Sequence, residues 1–258
     1  MKRLLVLTFA LSTMLFSCSK DKKIGTPAGK AHVDMYLTDG PGNYDAINLD
    51  IQGVEMTVAG TAVINFPITA GIYNLLDFKN GLDTFLGTAD VPAGKIQQIR
   101  LVLGSNNTIV ENGVSYPLTT PSGQTSGIKL NFHTTLAADS AYKIWIDFDA
   151  AKSIHQTGSG NYMLKPVIRA YSALTNGRIK GYVLPQAALA TVYAISGIDT
   201  FSAIPDLSGF YKISGLNAGN YLVWFDADNL TVYQDTTIFN VPVVFGYETD
   251  LDTVILHP

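Results

Sequence analysis

Acidic side chains are the residues of this sequence that come nearest to a catalytic pattern. Asp147 and Asp149 alternate within a strand-like run, so their carboxylates would point to the same face. Paired carboxylates of this kind cleave glycosidic bonds. Asp39 and Asp45 could join them in a glycan-directed hydrolase. Because the sequence itself places no second acid group opposite the pair, we expect these acids to have no catalytic role and the protein to be no enzyme.

Other chemical patterns are absent or incomplete. The four histidines lie far apart, and none belongs to a zinc-binding pattern. Residues 226–229 (DADN) resemble the start of a calcium loop, since calcium prefers clustered oxygen ligands. Thr231 stands where such a loop requires glycine, so a turn stabilised by an Asp side chain is the better interpretation. We therefore expect no metal site and no cofactor.

The single cysteine, Cys18, follows a segment typical of export signals. Two basic residues begin the chain, and residues 4–16 are apolar, uncharged and too short to span a bilayer comfortably. Residues 15–18 (LFSC) resemble the lipobox of bacterial lipoproteins. The resemblance implies a signal peptide over residues 1–17 and lipid attached to Cys18. A chance thiol in an ordinary signal peptide, or an uncleaved anchor, is the alternative.

Residues 18–30 form the predicted lipidated tether. The segment is polar and contains glycine and proline, which is typical of a flexible spacer. Its start (SKD) partly resembles the short signal that sends some lipoproteins to the cell surface, although Lys22 stands where a second acid is expected. We therefore expect an outer-membrane protein, lipid-anchored and facing outward. A spacer without sorting information is the alternative.

Composition limits the fold and the partners. Hydrophobic residues make up 47% of the chain and charged residues only 15%, so the chain can bury a core. Short runs rich in valine, isoleucine and tyrosine favour strands. The net charge is −4, with no basic cluster beyond the first thirty residues. A nucleic-acid partner is not expected, because phosphates require a basic surface.

Strand patterns fill the segment from residue 31 to residue 173. Residues 31–37 alternate apolar and polar side chains, as a half-buried strand does. The alternation in residues 46–58 changes phase at Gly53, which predicts a β-bulge, with two separate strands as the alternative. Asn112-Gly113 predicts a tight hairpin. A short helix is possible near residues 150–155, and residues 164–173 are expected to form the last strand.

Seven short motifs link this segment to a family. In chain order they are YLTDGP (36–41), YDA (44–46), QIRL (98–101), YPL (116–118), GIKL (127–130), DFDA (147–150) and LKPVIR (164–169). Together they resemble the lipoprotein domain of unknown function 4382, and they cover nearly the whole segment. That family has no assigned activity. The resemblance therefore adds to the expectations about fold and location and implies no mechanism.

The remaining segment, residues 177–258, contains strand-like runs at regular spacing, which suggests a sandwich. Its centre, residues 207–223 (LSGFYKISGLNAGNYLV), resembles the carboxypeptidase regulatory-like, or transthyretin-like, sandwich, although Asp206 lies one residue further from Gly209 than that family's usual acid. The resemblance implies an accessory, non-catalytic module. Alternation predicts that Tyr211 and Tyr221 face its core.

We therefore predict an all-β fold with two tandem antiparallel β-sandwich-like domains, residues 31–173 and 177–258, the second transthyretin-like. The leading functional hypothesis is a non-catalytic, surface-displayed lipoprotein that binds or scaffolds a polysaccharide or protein partner. Trp145 and Trp224 could stack on sugars, although we expect most aromatic residues in the core. The alternatives are the glycan hydrolase and a subunit that assembles by strand addition at an open sheet edge. The oligomeric state stays open.

Overall fold

The computed structural model describes residues 29–40, 42–120, 127–130, 132–174 and 176–258. Strands account for most of these residues, which confirms the all-β, sandwich-like fold class. Cys18, the signal peptide and nearly all of the tether lie outside the described residues. None of the helices in the described ranges is both long and apolar enough to cross a bilayer.

The N-terminal module, which we define as residues 30–172, is built from strands and two helical turns. Its helical turns are a 3-10 helix (Leu75–Phe78) and the α-helix α1 (Ala150–Ser153). Its strands are β1 (Lys30–Asp39), β2 (Ala46–Val58), β3 (Ile64–Phe66), β4 (Gly71–Asn74), β5 (Thr84–Pro92), β6 (Gly94–Leu103), β7 (Thr108–Glu111), β8 (Val114–Thr119), β9 (Ile128–Leu130), β10 (Thr135–Leu136), β11 (Ala141–Phe148), β12 (Ile154–Gln156), β13 (Tyr162–Leu164) and β14 (Ile168–Ser172).

Two sheets enclose the core of this module. A four-stranded sheet has the order β14-β11-β1-β5, and a larger sheet is centred on β6, β2 and β7. Alternate residues of β1 and β11, such as Val33, Met35 and Ile144, point inward and are fully buried. Residues between them point outward. The expected alternation of β1 is thus confirmed, and it places a second set of side chains on the outer face.

Two local predictions in this module are confirmed. The strand β2 runs without interruption from Ala46 to Val58, and its register against β6 shifts between Ile51 and Gly53, as a β-bulge requires. Asn112 and Gly113 have φ angles of 51° and 74° between the paired strands β7 and β8. Positive φ at both turn residues is the geometry that favours Asn-Gly in two-residue hairpins.

The features that differ from the sequence-based expectations include the strand β5 and the extent of the last predicted strand. The strand β5 was not predicted, because Leu86 and Gly87 are consecutive and both buried, which breaks the alternation. A side chain at Gly87 would collide with the carbonyl of Pro67. The single strand expected over residues 164–173 is divided into β13 and β14, because Pro166 cannot donate to a strand ladder and the chain changes sheets there.

The C-terminal module, defined as residues 177–258, packs a three-stranded sheet (β18-β15-β21) against a four-stranded sheet (β17-β16-β19-β20). A 3-10 helix spans Gln186–Ala188. Its strands are β15 (Gly177–Leu184), β16 (Thr191–Ser196), β17 (Asp199–Ala203), β18 (Phe210–Leu216), β19 (Gly219–Asp226), β20 (Thr236–Val243) and β21 (Glu248–Ile255). Tyr211 and Tyr221 lie in its core, as predicted. The transthyretin-like relationship stays a prediction.

Most strand pairs are antiparallel, and three of the pairs among the described residues are parallel. The parallel pairs are β1 with β11, β8 with β13, and β15 with β21. The pairing of β1 with β11 matters most for the functional site. It aligns Thr38 with Asp147 and Asp39 with Phe148, so the carboxyl ends of both strands meet at one edge of the sheet.

Candidate functional site: an aromatic row beside a cleft between the modules

Four aromatic residues form a row across the outer face of the four-stranded sheet. Phe85 of β5 pairs with Tyr36 of β1, Tyr36 pairs with Trp145 of β11, and Trp145 pairs with Tyr171 of β14. Directly opposed side chains on one face lie close enough for ring contacts. We call these four residues the aromatic row.

The rings of the aromatic row contact one another in sequence. Phe85 meets Tyr36 edge to face with centroids 5.6 Å apart, whereas Tyr36 stacks on Trp145 at 5.4 Å and Trp145 stacks on Tyr171 at 5.6 Å. Exposure falls along the row, from 52% for Phe85 to 7% for Tyr171. The row therefore begins on the open sheet surface and ends beneath the C-terminal module.

Polar contacts fix the orientation of the central rings. The indole Nε1 of Trp145 donates a hydrogen bond to the Oδ2 of Asp83, with the two atoms 2.7 Å apart. The ammonium of Lys143 lies 5.6 Å from the ring centroid of Tyr36, within cation–π range. The row is thus held in place and flanked by groups that can donate or accept hydrogen bonds.

Both tryptophans lie on outer sheet faces and not in the cores. Trp224 of β19 stacks on Tyr193 of β16, with centroids 5.2 Å apart, and its Nε1 donates to Asp235. This pair lies on the C-terminal module and is no part of the aromatic row. Trp145 and Trp224 are therefore exceptions to the expectation that most aromatic residues lie in the core, since each alternates with buried residues on its strand.

A cleft lies between the modules at the buried end of the aromatic row. It has a volume of about 160 Å³ and is lined by residues of β1, β11, β14, β17 and β18. Asp39, Asp147 and Asp149 all line it, which brings together three of the four acids considered for hydrolysis. Asp45 lies elsewhere and accepts a hydrogen bond from the backbone of Gly113 in the β7–β8 hairpin.

Asp147 is tied to Arg169, which joins the two modules. Arg169 Nε donates to Asp147 Oδ2 at 2.7 Å, and its two terminal nitrogens donate to the backbone oxygens of Ser214 and Gly215, each at 2.8 Å. The guanidinium also lies 4.3 Å from the ring centroid of Phe201. Burial raises the pKa of Asp147, while the neighbouring Arg169 opposes that rise. Because Asp147 is paired with Arg169 and hydrogen-bonded to it, its carboxylate has a structural role at the junction of the modules.

Asp149 is held by α1. Its Oδ1 accepts from the backbone nitrogen of Lys152 at 3.0 Å, as an N-cap residue does, and its Oδ2 lies 2.8 Å from the Lys152 ammonium. The same ammonium donates to the backbone oxygen of Thr200 in the other module. Both Asp147 and Asp149 therefore belong to contacts that fasten the modules together.

Asp39 differs from its two neighbours because no cation among the described residues pairs with it. It is 6% exposed, and its Oδ1 accepts from the backbone nitrogen of Ala150 at 3.2 Å. Its Oδ2 has no hydrogen-bond partner among the described residues. Burial, together with the charges of Asp147 and Asp149, raises the pKa of Asp39 well above its usual value. The cleft therefore contains a carboxyl group that keeps its proton to a higher pH than an ordinary Asp does.

The segment that resembles the start of a calcium loop is a turn. Asp228 Oδ1 accepts from the backbone nitrogen of Leu230 at 2.7 Å, and Asp228 O accepts from that of Thr231 at 2.8 Å. This is the turn stabilised by an Asp side chain that the sequence predicts. Within the described ranges, no group of three or more His, Cys, Asp or Glu side chains is arranged to hold a metal ion.

The fold and the site define an all-β, two-module protein, and comparison gives the family of its first module. The chain belongs to the family described as a domain of unknown function (DUF4382), whose family model matches residues 30–166. No curated protein matches the chain.

Solved structures provide distant matches. A type II cohesin–X-dockerin complex from Acetivibrio cellulolyticus shares 25% identity over 31% of this chain and 56% of that chain, with a TM-score of 0.26. This chain thus spans about half of the matched cohesin–dockerin chain. The shaft pilin SpaA from Lactobacillus rhamnosus GG is 9% identical over 89% of this chain and 99% of its own, with a TM-score of 0.22. A minor pilin from Streptococcus agalactiae is 10% identical over 90% and 97%, with a TM-score of 0.22.

Proposed function

We propose that this protein is a non-catalytic lipoprotein, anchored in the outer membrane through Cys18 and displayed on the cell surface, that binds a polysaccharide along the aromatic row. The observation that carries this proposal is the alignment of Phe85, Tyr36 and Trp145 at paired strand positions on one outer face. Tyr36 and Tyr171 stack on Trp145, so the apolar C–H groups of a sugar chain would pack along the exposed edges of these rings and on Phe85. Its hydroxyls would need nearby polar groups. Asp83 and Lys143 supply such groups beside the row.

The shape of the row favours a glycan over a protein partner. A specific protein interface buries about 800 Å² on each partner, with an apolar centre. Within the aromatic row only Phe85 is more than half exposed, and the charged side chains of Lys143 and Asp83 contact the rings of Tyr36 and Trp145. A narrow line of rings with polar flanks fits an extended sugar chain better than a broad protein surface.

The course of β1 supports display away from the membrane. The tether enters the fold at Lys30, and the ten residues of β1 run from there to Asp39 at the cleft. At about 3.3 Å per residue, this strand places the cleft roughly 30 Å from the anchored end. The aromatic row crosses β1 at Tyr36, which is nearer to the cleft end of the strand than to the tether end.

A glycan-binding assay with a single variant tests the proposal. Residues 29–258 contain both hydrophobic cores, so this fragment can be used on a polysaccharide array. We expect retention of at least one polysaccharide and a loss of about tenfold in affinity for Trp145→Ala, since a stacked ring contributes roughly 1 kcal/mol or more. Trp224→Ala is the matched control and should bind like the wild type. Absence of polysaccharide binding, or equal binding by both variants, would refute the proposal.

A glycan hydrolase is the second candidate, because Asp39, Asp147 and Asp149 line one cleft. A glycosidase needs one protonated and one ionised carboxyl group, and Asp39 fits the first role. The candidate ranks lower because Arg169 and Lys152 already engage the other two acids. Release of reducing ends from a bound polysaccharide, lost in Asp39→Asn, would favour this candidate over the first.

Assembly by strand addition is less well supported. The strands β20 and β21 form the sheet edges furthest from the N-terminal module, and each contains a residue with positive φ, Asn240 at 57° and Asp252 at 51°. The pairing registers of both strands are also interrupted. Irregular edges of this kind oppose the addition of another strand.

A further inference from the structure

The cleft between the modules contains a polar group that the protein itself does not satisfy. Asp39 lines this cleft and is 6% exposed, yet its Oδ2 has no hydrogen-bond partner among the described residues. Its other oxygen is occupied by the backbone nitrogen of Ala150. A buried polar atom without a partner is unfavourable, so a ligand hydroxyl that forms a hydrogen bond with this oxygen would relieve the penalty.

The charges of the cleft favour an uncharged ligand. Each cation that lines the cleft already has a carboxylate partner. The pairs are Arg169 with Asp147, Lys152 with Asp149, and Lys212 with Glu248. An anionic ligand would find no free counter-ion and would also face the carboxylates of the cleft, whereas a neutral molecule meets no such repulsion.

The remaining wall combines hydroxyl groups with aromatic rings. Thr200 and Ser202 of β17 and Ser214 of β18 lie on one side, and the rings of Tyr171 and Phe201 complete the lining. A cavity of about 150 Å³ holds a molecule of the size of benzene. The cleft, at about 160 Å³, is of this size, so it would enclose the ring of one sugar unit only in part, with some of its hydroxyl groups left outside.

We propose that this cleft is a subsite that takes one uncharged sugar unit of the bound glycan, with a sugar hydroxyl hydrogen-bonded to the carboxyl group of Asp39. The inference rests on the proposed function, because Tyr171 belongs both to the aromatic row and to the cleft. The aromatic row would supply general affinity for the chain. The cleft would supply selectivity for a neutral unit.

Binding of single sugars to the full-length protein in detergent tests this inference. The probes are glucose, galactose, mannose and N-acetylglucosamine, with glucuronate and galacturonate as charged counterparts, and saturation-transfer NMR is the measurement. We expect at least one neutral sugar to bind and the uronates to bind at least tenfold more weakly. Asp39→Asn should keep binding within about twofold, since the amide still forms a hydrogen bond with a sugar hydroxyl, whereas Asp39→Ala should lose tenfold or more.

A variant in the other module tests the subsite independently, in case the Asp39 variants do not fold. Ser202→Phe fills the cleft from the other module without altering Asp39, and it should abolish binding of the neutral sugar. Trp224→Ala is the control. Binding unaffected by both Asp39→Ala and Ser202→Phe, or uronates bound as tightly as neutral sugars, would overturn the subsite.

The two proposals can fail separately. Polysaccharide binding that depends on Trp145, combined with no binding of any single sugar, would refute the subsite proposal and leave the proposed function intact. Absence of all polysaccharide binding would refute the proposed function.

Discussion

Arg169 and Asp147 are direct partners in the ladder between β14 and β11, and the guanidinium that reaches Asp147 Oδ2 also donates to two backbone oxygens of the C-terminal module. One side chain therefore neutralises a largely buried carboxylate and fastens the modules to each other. The carboxylate of Asp147 is 13% exposed, so water contributes little to its solvation. The cleft depends on this contact for its shape.

Replacement of Arg169 by methionine should destabilise the protein strongly. The variant keeps an apolar stem against Phe201 but leaves Asp147 without its cation, and removal of one partner from a buried pair costs roughly 3 kcal/mol or more. Urea unfolding of the fragment 29–258 measures the loss. We also expect faster proteolysis between β14 and β15, because the modules would separate more readily.

Arg178→Met is the matched control for this substitution. Arg178 makes one long hydrogen bond, 3.4 Å to the backbone oxygen of Gly246, and forms no ion pair within the described residues. Its replacement should cost less than about 1 kcal/mol. If the two variants were equally stable, Arg169 would have no special role at the junction.

Gly215 provides a test of how closely the modules pack. Its φ is +72°, and a Cβ atom there would lie 2.6 Å from the Tyr171 ring. Gly113 has nearly the same φ, +74°, but a Cβ atom there would meet nothing within 4 Å. Both Ala variants should lose about 1 kcal/mol for the left-handed backbone, whereas Gly215→Ala should lose a further 1–3 kcal/mol or so from overpacking. Urea unfolding distinguishes them, and equal losses would show that the ring moves aside without cost.

The raised pKa of Asp39 predicts a pH dependence of stability. The folded protein keeps the proton on Asp39 at pH values where the unfolded chain has lost it. Its contribution to the free energy of unfolding therefore decreases as the pH rises from the usual Asp pKa, about 3.9, to the folded pKa, and is constant above it. The free energy of unfolding of the wild type minus that of Asp39→Asn should fall over this range in urea titrations.

Asp206 provides a control of opposite sign. Hydrogen bonds from Ser208, with a further one from the backbone of Phe210, lower the pKa of Asp206. Its contribution is therefore present above the usual Asp pKa and is lost as the pH falls toward the lowered value. The wild type minus Asp206→Asn should show this rising trend with pH. A flat or rising difference for Asp39→Asn would contradict the account given for Asp39.

The orientation of the aromatic row could be predicted from sequence, but its assembly could not. Tyr36 and Trp145 each alternate with buried apolar residues, so the pattern places both on outer faces. Which strands are neighbours is a different question. The parallel pairing of β1 with β11 joins segments distant in the chain, and no local pattern specifies it. The row therefore emerges only from the fold.

The cleft illustrates the same limit. The sequence pattern predicts that Asp147 and Asp149 share one face and offers Asp39 as a further candidate. It does not predict that β1 pairs with β11 or that Arg169 contacts the other module. The helix cap at Asp149 and the backbone contacts of Arg169 explain why these acids have structural roles. Local chemistry identified candidate residues, whereas tertiary contacts determined which of them are engaged.

Replacement of Cys18 by serine tests the anchor on which display depends. Acyl chains stabilise membrane binding by about 0.8 kcal/mol per buried CH₂ group, and several chains on one residue anchor stably where one chain binds only marginally. In cells fed with labelled palmitate, the wild type should carry label, fractionate with the outer membrane and be accessible to protease on intact cells. Cys18→Ser should lose the label and the membrane association, whereas Thr26→Ala in the tether should change neither. A Cys18→Ser protein that still fractionates with the outer membrane would show that something other than a lipid on this thiol holds it there.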